Sequence, residues 1–121
     1  MSPTQRSLSA MRRDGWTVCV VEKWIAQIRQ RKDAYGFGDL LACRIGQPGA
    51  TLVQTTSGSN VSARLDKIRT IPEAGIWLAA GNRIEVHGWR KTGPRGMRKV
   101  WTCRKIEVSR ETLNTNITRD P

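Results

Sequence analysis

The chain has 121 residues, with 21 Lys and Arg against 10 Asp and Glu, for a net charge of +11. That length suits one domain with one real core, and 38% apolar with 26% charged residues excludes a disordered polar chain. No apolar run approaches membrane-spanning length and no signal-peptide apolar region opens the chain, so a cytoplasmic protein without a membrane partner is expected.

In chain order, Ser2-Pro3-Thr4-Gln5 reads as a helix start, with Ser2 as cap, Pro3 at the first helical position and Gln5 completing a capping box. Leu8 and Met11 would face the core, and Gly15 is a natural stop. Trp16 to Val21 is rich in β-branched and aromatic residues and predicts a strand. Residues 23–37 mix Trp24, Ile25 and Ile28 with many cations and read as a short helix or a wide loop. Strands are predicted near 38–44 and 51–56, joined as a hairpin through Gly46-Gln47-Pro48-Gly49. Val61, Leu65 and Ile68 then recur at helical spacing. Pro72 ends this helix or opens the next, a short apolar one over residues 76–80 closed by Gly81. Two further strands are expected near 83–89 and 99–108, around a basic loop over 90–99. Residues 1–108 thus form the expected domain, and 109–121 a polar tail that frays. The pattern predicts an α/β fold, a mixed central sheet flanked by helices.

Cys19, Cys43 and Cys103 lie far apart, each within an apolar run. A zinc site would need close Cys/His pairs, so buried reduced thiols are expected. The tryptophans are mainly core candidates, although Trp89 and Trp101 flank the basic loop and suit stacking on exposed bases, and Trp24 or Trp77 would suit a dimer interface. His87 alternates with Glu85 and Trp89 on one strand face, where a lone His is structural or exposed rather than catalytic.

The polar residues set into the two central strands carry the sharper signal. Asp39 opens one strand, while Gln54 and Thr56 share a face of its neighbour by strand alternation. A carboxylate and a side-chain carbonyl, with waters, suit Mg²⁺ or Mn²⁺, and such an ion assists phosphodiester hydrolysis. Each residue also has a plainer role: Asp39 as a turn or strand-start residue, Gln54 as a buried hydrogen-bonding amide, Thr56 as a β-former. Two basic segments supply phosphate contacts, Arg29, Arg31 and Lys32 in the first and Arg90, Lys91, Arg95, Arg98 and Lys99 in the second, with Arg64 on the following helix. Such contacts imply structure-selective or weakly selective DNA binding, to branched or duplex substrates.

On these residues the chain resembles the PD-(D/E)XK nuclease superfamily, and more narrowly the Holliday junction resolvase-like and VRR-NUC phage nucleases. Asp39 matches the family Asp, with Gly38 in place of a Pro, and Gly15-Trp16 resembles a pair common after the first helix. Gln54-Thr55-Thr56 stands where the family has an acid-x-Lys triplet. The resemblance implies a restriction-endonuclease-like αβββαβ core over roughly residues 4–90 and a metal-dependent, resolvase-like endonuclease working as a homodimer. Thr56 departs from the family Lys, and Lys67 on the next helix is the substitute cation. Glu22 and Asp33 are the acids available to restore the ligand charge that Gln54 lacks. Two other readings compete: a nucleic-acid-binding protein of the same fold with weakened catalysis, and a phage interaction or inhibitor module.

Overall fold

The computed structural model describes the backbone of residues 1–119 and the side chains through Asn114. Helix α1 spans Pro3–Arg13, capped by Ser2, whose hydroxyl accepts from the Gln5 amide at 3.2 Å. Strand β1 covers Thr17–Val20. Strands β2 (Lys23–Ile25) and β3 (Gln30–Lys32) follow, then β4 (Leu40–Arg44) and β5 (Gln47–Ser57). After a single turn of 3₁₀ helix over Gly58–Asn60 come α2 (Val61–Arg69) and α3 (Pro72–Ala79). Strands β6 (Arg83–Thr92) and β7 (Val100–Val108) and helix α4 (Arg110–Arg119) complete the order.

The main sheet has five strands in the order β1-β4-β5-β6-β7. β1, β4 and β5 form an antiparallel meander, β5 and β6 run parallel, and β7 returns antiparallel to β6. The architecture is therefore mixed α/β, with helices on both faces of a mixed sheet. Strand alternation sorts the core into two layers. Leu40, Ala42 and Val53 pack with Val18 beneath Leu8 and Met11 of α1. Leu52, Ile84, Val86 and Val108 face Val61 and Ile68 of α2 and Ala74 of α3, with Phe37. Gly88 lets α2 approach β6, because a Cβ there would overlap Val61 Cγ2.

Several expectations change. Residues 23–37 form neither a helix nor a wide loop: β2 and β3 pair antiparallel as a separate hairpin, with Arg29 in its turn at φ 49°. Its turn uses a non-glycine residue at positive φ, which carries no composition signal. The β4–β5 turn is tighter than expected, since Arg44 pairs with Gln47 across Ile45-Gly46. The basic loop shrinks to residues 93–99, and Arg90 and Lys91 lie on β6. Residues 110–119 are helical rather than frayed, because Ser109 caps Thr112 N, Arg69 Nε donates to the Thr112 carbonyl at 2.9 Å, and Leu113 packs on the core.

The cysteines are not buried as expected: Cys19 and Cys43 are exposed and Cys103 is half-buried. β1 is an edge strand covered by α1 on one face only, so the face bearing Cys19 is left bare. Desolvation pushes the half-buried Cys103 thiol up to about 11, so it stays protonated. The tryptophans are likewise not core residues. Trp24 and Trp101 are exposed, while Trp16, Trp77 and Trp89 are half-buried at the rims of the core.

A candidate metal and nucleic-acid site

Asp39 is held by backbone pairing across the sheet. Its amide donates to the Val53 carbonyl at 2.8 Å, and its carbonyl accepts from the Val21 amide at 2.9 Å. Gly38 precedes it because a Cβ there would stand 2.7 Å from Leu52 Cδ2. The Asp39 carboxylate is buried, and its Oδ2 accepts three hydrogen bonds: from the Thr55 amide at 2.7 Å, Gln54 Nε2 at 2.9 Å and Thr55 Oγ1 at 3.1 Å. Thr55 Oγ1 is in turn tied to Thr4 Oγ1 at 2.7 Å, which seats the first turn of α1 against the site.

Glu22 and Asp33 reach the same place. Their carboxylate oxygens and that of Asp39 lie within 4.8 Å of one another. Both acids flank the β2–β3 hairpin, Glu22 just before β2 and Asp33 just after β3. A cavity of ≈ 350 Å³ opens over this group, with Gln54, Thr56 and Arg64 also in its wall. The structure thus brings together Asp39, Gln54, Thr56, Glu22, Asp33 and Arg64. Lys67 stands at the margin, its Nζ 3.9 Å from Asp33 Oδ2.

The electrostatics are uneven. Glu22 pairs with Arg31 at 3.0 Å and Asp33 with Lys67, but neither cation partner reaches Asp39. Burial pushes the Asp39 carboxyl up to about 7, and the neighbouring Asp33 carboxyl adds to the rise, while the Thr55 amide and hydroxyl pull the other way. The donor set is carboxylate and amide oxygen, the type that hard divalent cations take. Because Gln54 donates through Nε2, its Oε1 is buried without a hydrogen-bond partner among the described residues. An unpartnered buried carbonyl oxygen beside clustered carboxylates fits an oxygen-coordinated cation.

The basic residues divide. Arg29, Arg31 and Lys32 are all exposed on the hairpin that rises beside the acids. Arg90, Lys91, Arg95, Arg98 and Lys99 are exposed along β6 and the β6–β7 loop, away from the cavity wall.

Sequence reasoning missed Thr4 and Thr55. Alternation puts the Thr55 side chain opposite Gln54, and the backbone amide that fixes Asp39 leaves no trace in residue type. A second polar group was also not anticipated as a unit. Ser7 Oγ lies 2.8 Å from His87 Nδ1, His87 Nε2 lies 2.8 Å from Glu85 Oε1, and Trp89 Nε1 donates to Ser7 Oγ at 2.8 Å. The order Ser-His-Glu resembles a nucleophile relay. However, Ser7 is fully buried and its oxygen already accepts from Trp89, so it has no path to a substrate. The hydrogen bond from His87 holds the Glu85 carboxyl below its usual range. The group is a buried polar tie between α1 and β6, in keeping with a structural His87.

No family model, curated protein or solved structure matches this chain. Among the described residues, no helix is long and apolar enough to cross a membrane.

Proposed function

We propose that this chain is a metal-dependent DNA endonuclease of resolvase-like type, structure-selective or weakly sequence-selective, on a restriction-endonuclease-like core. The observation that carries the reading is the convergence of Glu22, Asp33 and Asp39 within 4.8 Å, beside the unpartnered Gln54 Oε1 and under a cationic hairpin. The chain order supports it: α1, a three-strand antiparallel meander, two helices, then a strand parallel to the last of the meander. Asp39, Asp33, Glu22 and the Gln54 carbonyl would hold Mg²⁺ or Mn²⁺. When bound, such an ion polarises a phosphoryl oxygen and makes water a better nucleophile. Lys67 places its Nζ beside Asp33, where it would orient the attacking water and offset developing negative charge. Thr56 lines the cavity and offers a hydroxyl to water. Arg29, Arg31 and Lys32 would hold the phosphate backbone, and Arg64 lies in the cavity wall itself.

The test incubates junction, nicked and linear DNA with Mn²⁺. Cleavage of at least one substrate by the wild type, lost in Asp39→Asn, is expected. Failure to cut any of them overturns the reading.

One observation favours a second reading, a nucleic-acid binder with weakened chemistry. β5 carries no Lys, and Lys67 is engaged with Asp33. DNA binding that persists unchanged without metal and in Asp39→Asn, with no cleavage, selects it.

A further inference from the structure

A second cavity, of ≈ 240 Å³, lies on the α1 side of the sheet and is lined by Arg6, Ser9, Arg13, Trp89 and Trp101 with Met1. Its walls carry two cations, two indoles and no carboxylate. We propose that it binds one unpaired nucleotide of a DNA strand, with the base stacked on Trp101 and the phosphate on Arg6 and Arg13. This rests on the reading above that the partner is DNA, and it adds an unpaired base as the feature recognised.

The Trp101 indole is partly covered by cations, and an entering base shares the ring with Arg6, stacking on the part of the indole that the guanidinium leaves open. Trp101 is 43% exposed on the edge strand β7, with the Arg6 guanidinium carbon 3.8 Å and Lys91 Nζ 5.5 Å from its ring centroid. Arg6 is incompletely satisfied there: its Nε is buried with no hydrogen-bond partner among the described residues. That N–H is closed to solvent beside the Trp101 ring, so Arg6 would meet a phosphate by turning its guanidinium off the indole, which satisfies the N–H and frees ring face for the base together. The Trp89 wall is fixed by its bond to Ser7, so that side of the cavity is formed in advance. The cavity is smaller than the ~300–1,000 Å³ clefts that take drug-sized ligands, which suits a single flat ring with its phosphate. A base presents a π face to the indole whatever its sequence, so the site needs no base-edge readout.

Placement connects this cavity with the acids. Thr4 at the start of α1 lines the acidic cavity, while Arg6, Ser9 and Arg13 further along the same helix line this one. A strand held at the acid cluster therefore reaches the indole cavity by crossing one helix. A duplex keeps its bases stacked inward and cannot deliver one there. Branch points, nicks with frayed ends and single strands can.

The experiment uses a short single-stranded oligonucleotide carrying 2-aminopurine, and a matched duplex, without metal. Wild-type protein is expected to quench the 2-aminopurine emission on the single strand. Trp101→Ala should abolish that quenching and weaken single-strand binding roughly 5- to 150-fold, the range one base–aromatic stack is worth, with duplex affinity changed less than about twofold. Trp101→Phe should retain most of both signals, which separates stacking from misfolding. Equal single-strand affinity and quenching in wild type and Trp101→Ala overturns the proposal, as does an equal loss on duplex and single strand. Absence of single-strand binding by wild type overturns it too. Quenching is read without cleavage, so its loss in Trp101→Ala beside an inactive wild type would sink the nuclease reading alone. Cleavage by a protein indifferent to Trp101→Ala would sink this one alone.

Discussion

Gln54 Nε2 donates to Asp39 Oδ2 at 2.9 Å, and that single bond fixes which end of the amide remains free, the buried Oε1. Where a carboxylate would repel Asp39, the amide binds it and still offers one oxygen. The pair predicts distinct variant behaviour. Gln54→Glu places a second charge against Asp39 and should destabilise the metal-free protein, by about 1–3 kcal/mol, while strengthening Mn²⁺ binding. Thermal unfolding with and without Mn²⁺, alongside calorimetric titration, checks both halves. Weaker Mn²⁺ binding in the variant would count against Gln54 as a ligand.

The second prediction concerns pH. The Asp39 carboxyl is raised from 3.8 to about 7 on folding, so the folded state holds the proton more tightly than the unfolded chain. Between pH 4 and 7 the folded protein therefore binds more protons, and the Asp39 contribution makes the metal-free protein more stable as pH falls through that window. The full range is on the order of 4 kcal/mol. Asp39→Asn should flatten this dependence. Mn²⁺ competes with the proton, so its affinity should fall up to about tenfold per unit below pH 7. Glu85 has the opposite sign: its depressed pKa contributes stability above the unfolded value that is lost on acidification through the folded one. Urea titrations at stepped pH separate the two.

The third prediction tests the buried relay. Ser7→Ala leaves His87 Nδ1 and Trp89 Nε1 without their shared partner, and should cost about 1–3 kcal/mol. Mn²⁺ affinity should be unchanged, because none of these residues lines the acidic cavity. Loss of DNA cleavage at unchanged stability would instead assign the relay a chemical role.

The fourth prediction concerns the hairpin cations. Replacing Arg29, Arg31 and Lys32 with Ala should weaken DNA binding for all sequences alike. The slope of log K against log salt should flatten by about 0.9 per lost phosphate contact. Since Arg31 also pairs with Glu22, Arg31→Ala alone should alter Mn²⁺ affinity, whereas Lys32→Ala should not.

Much of the fold was legible because its elements carry their own local signals. Ser2-Pro3 sets the start of α1, and the spacing of Val61, Leu65 and Ile68 sets α2. The meeting of Asp39 and Gln54 was legible too, since both are polar residues in strands that otherwise read as core. The β2–β3 hairpin was not, because its strands are exposed and carry no alternation to read. For the same reason the arrival of Glu22 and Asp33 beside Asp39 could be named but not placed: their position follows from how a solvent-facing hairpin folds back. The cysteines were misjudged because an apolar run says nothing about whether a second layer covers its strand.

The hairpin has one last consequence. Glu22 and Asp33 stand at its two feet, while Arg29 sits at its tip. Under the proposed function, a nucleic acid held at the tip has its lever arm rooted in two of the three acids, so tilting the arm would change the spacing between them.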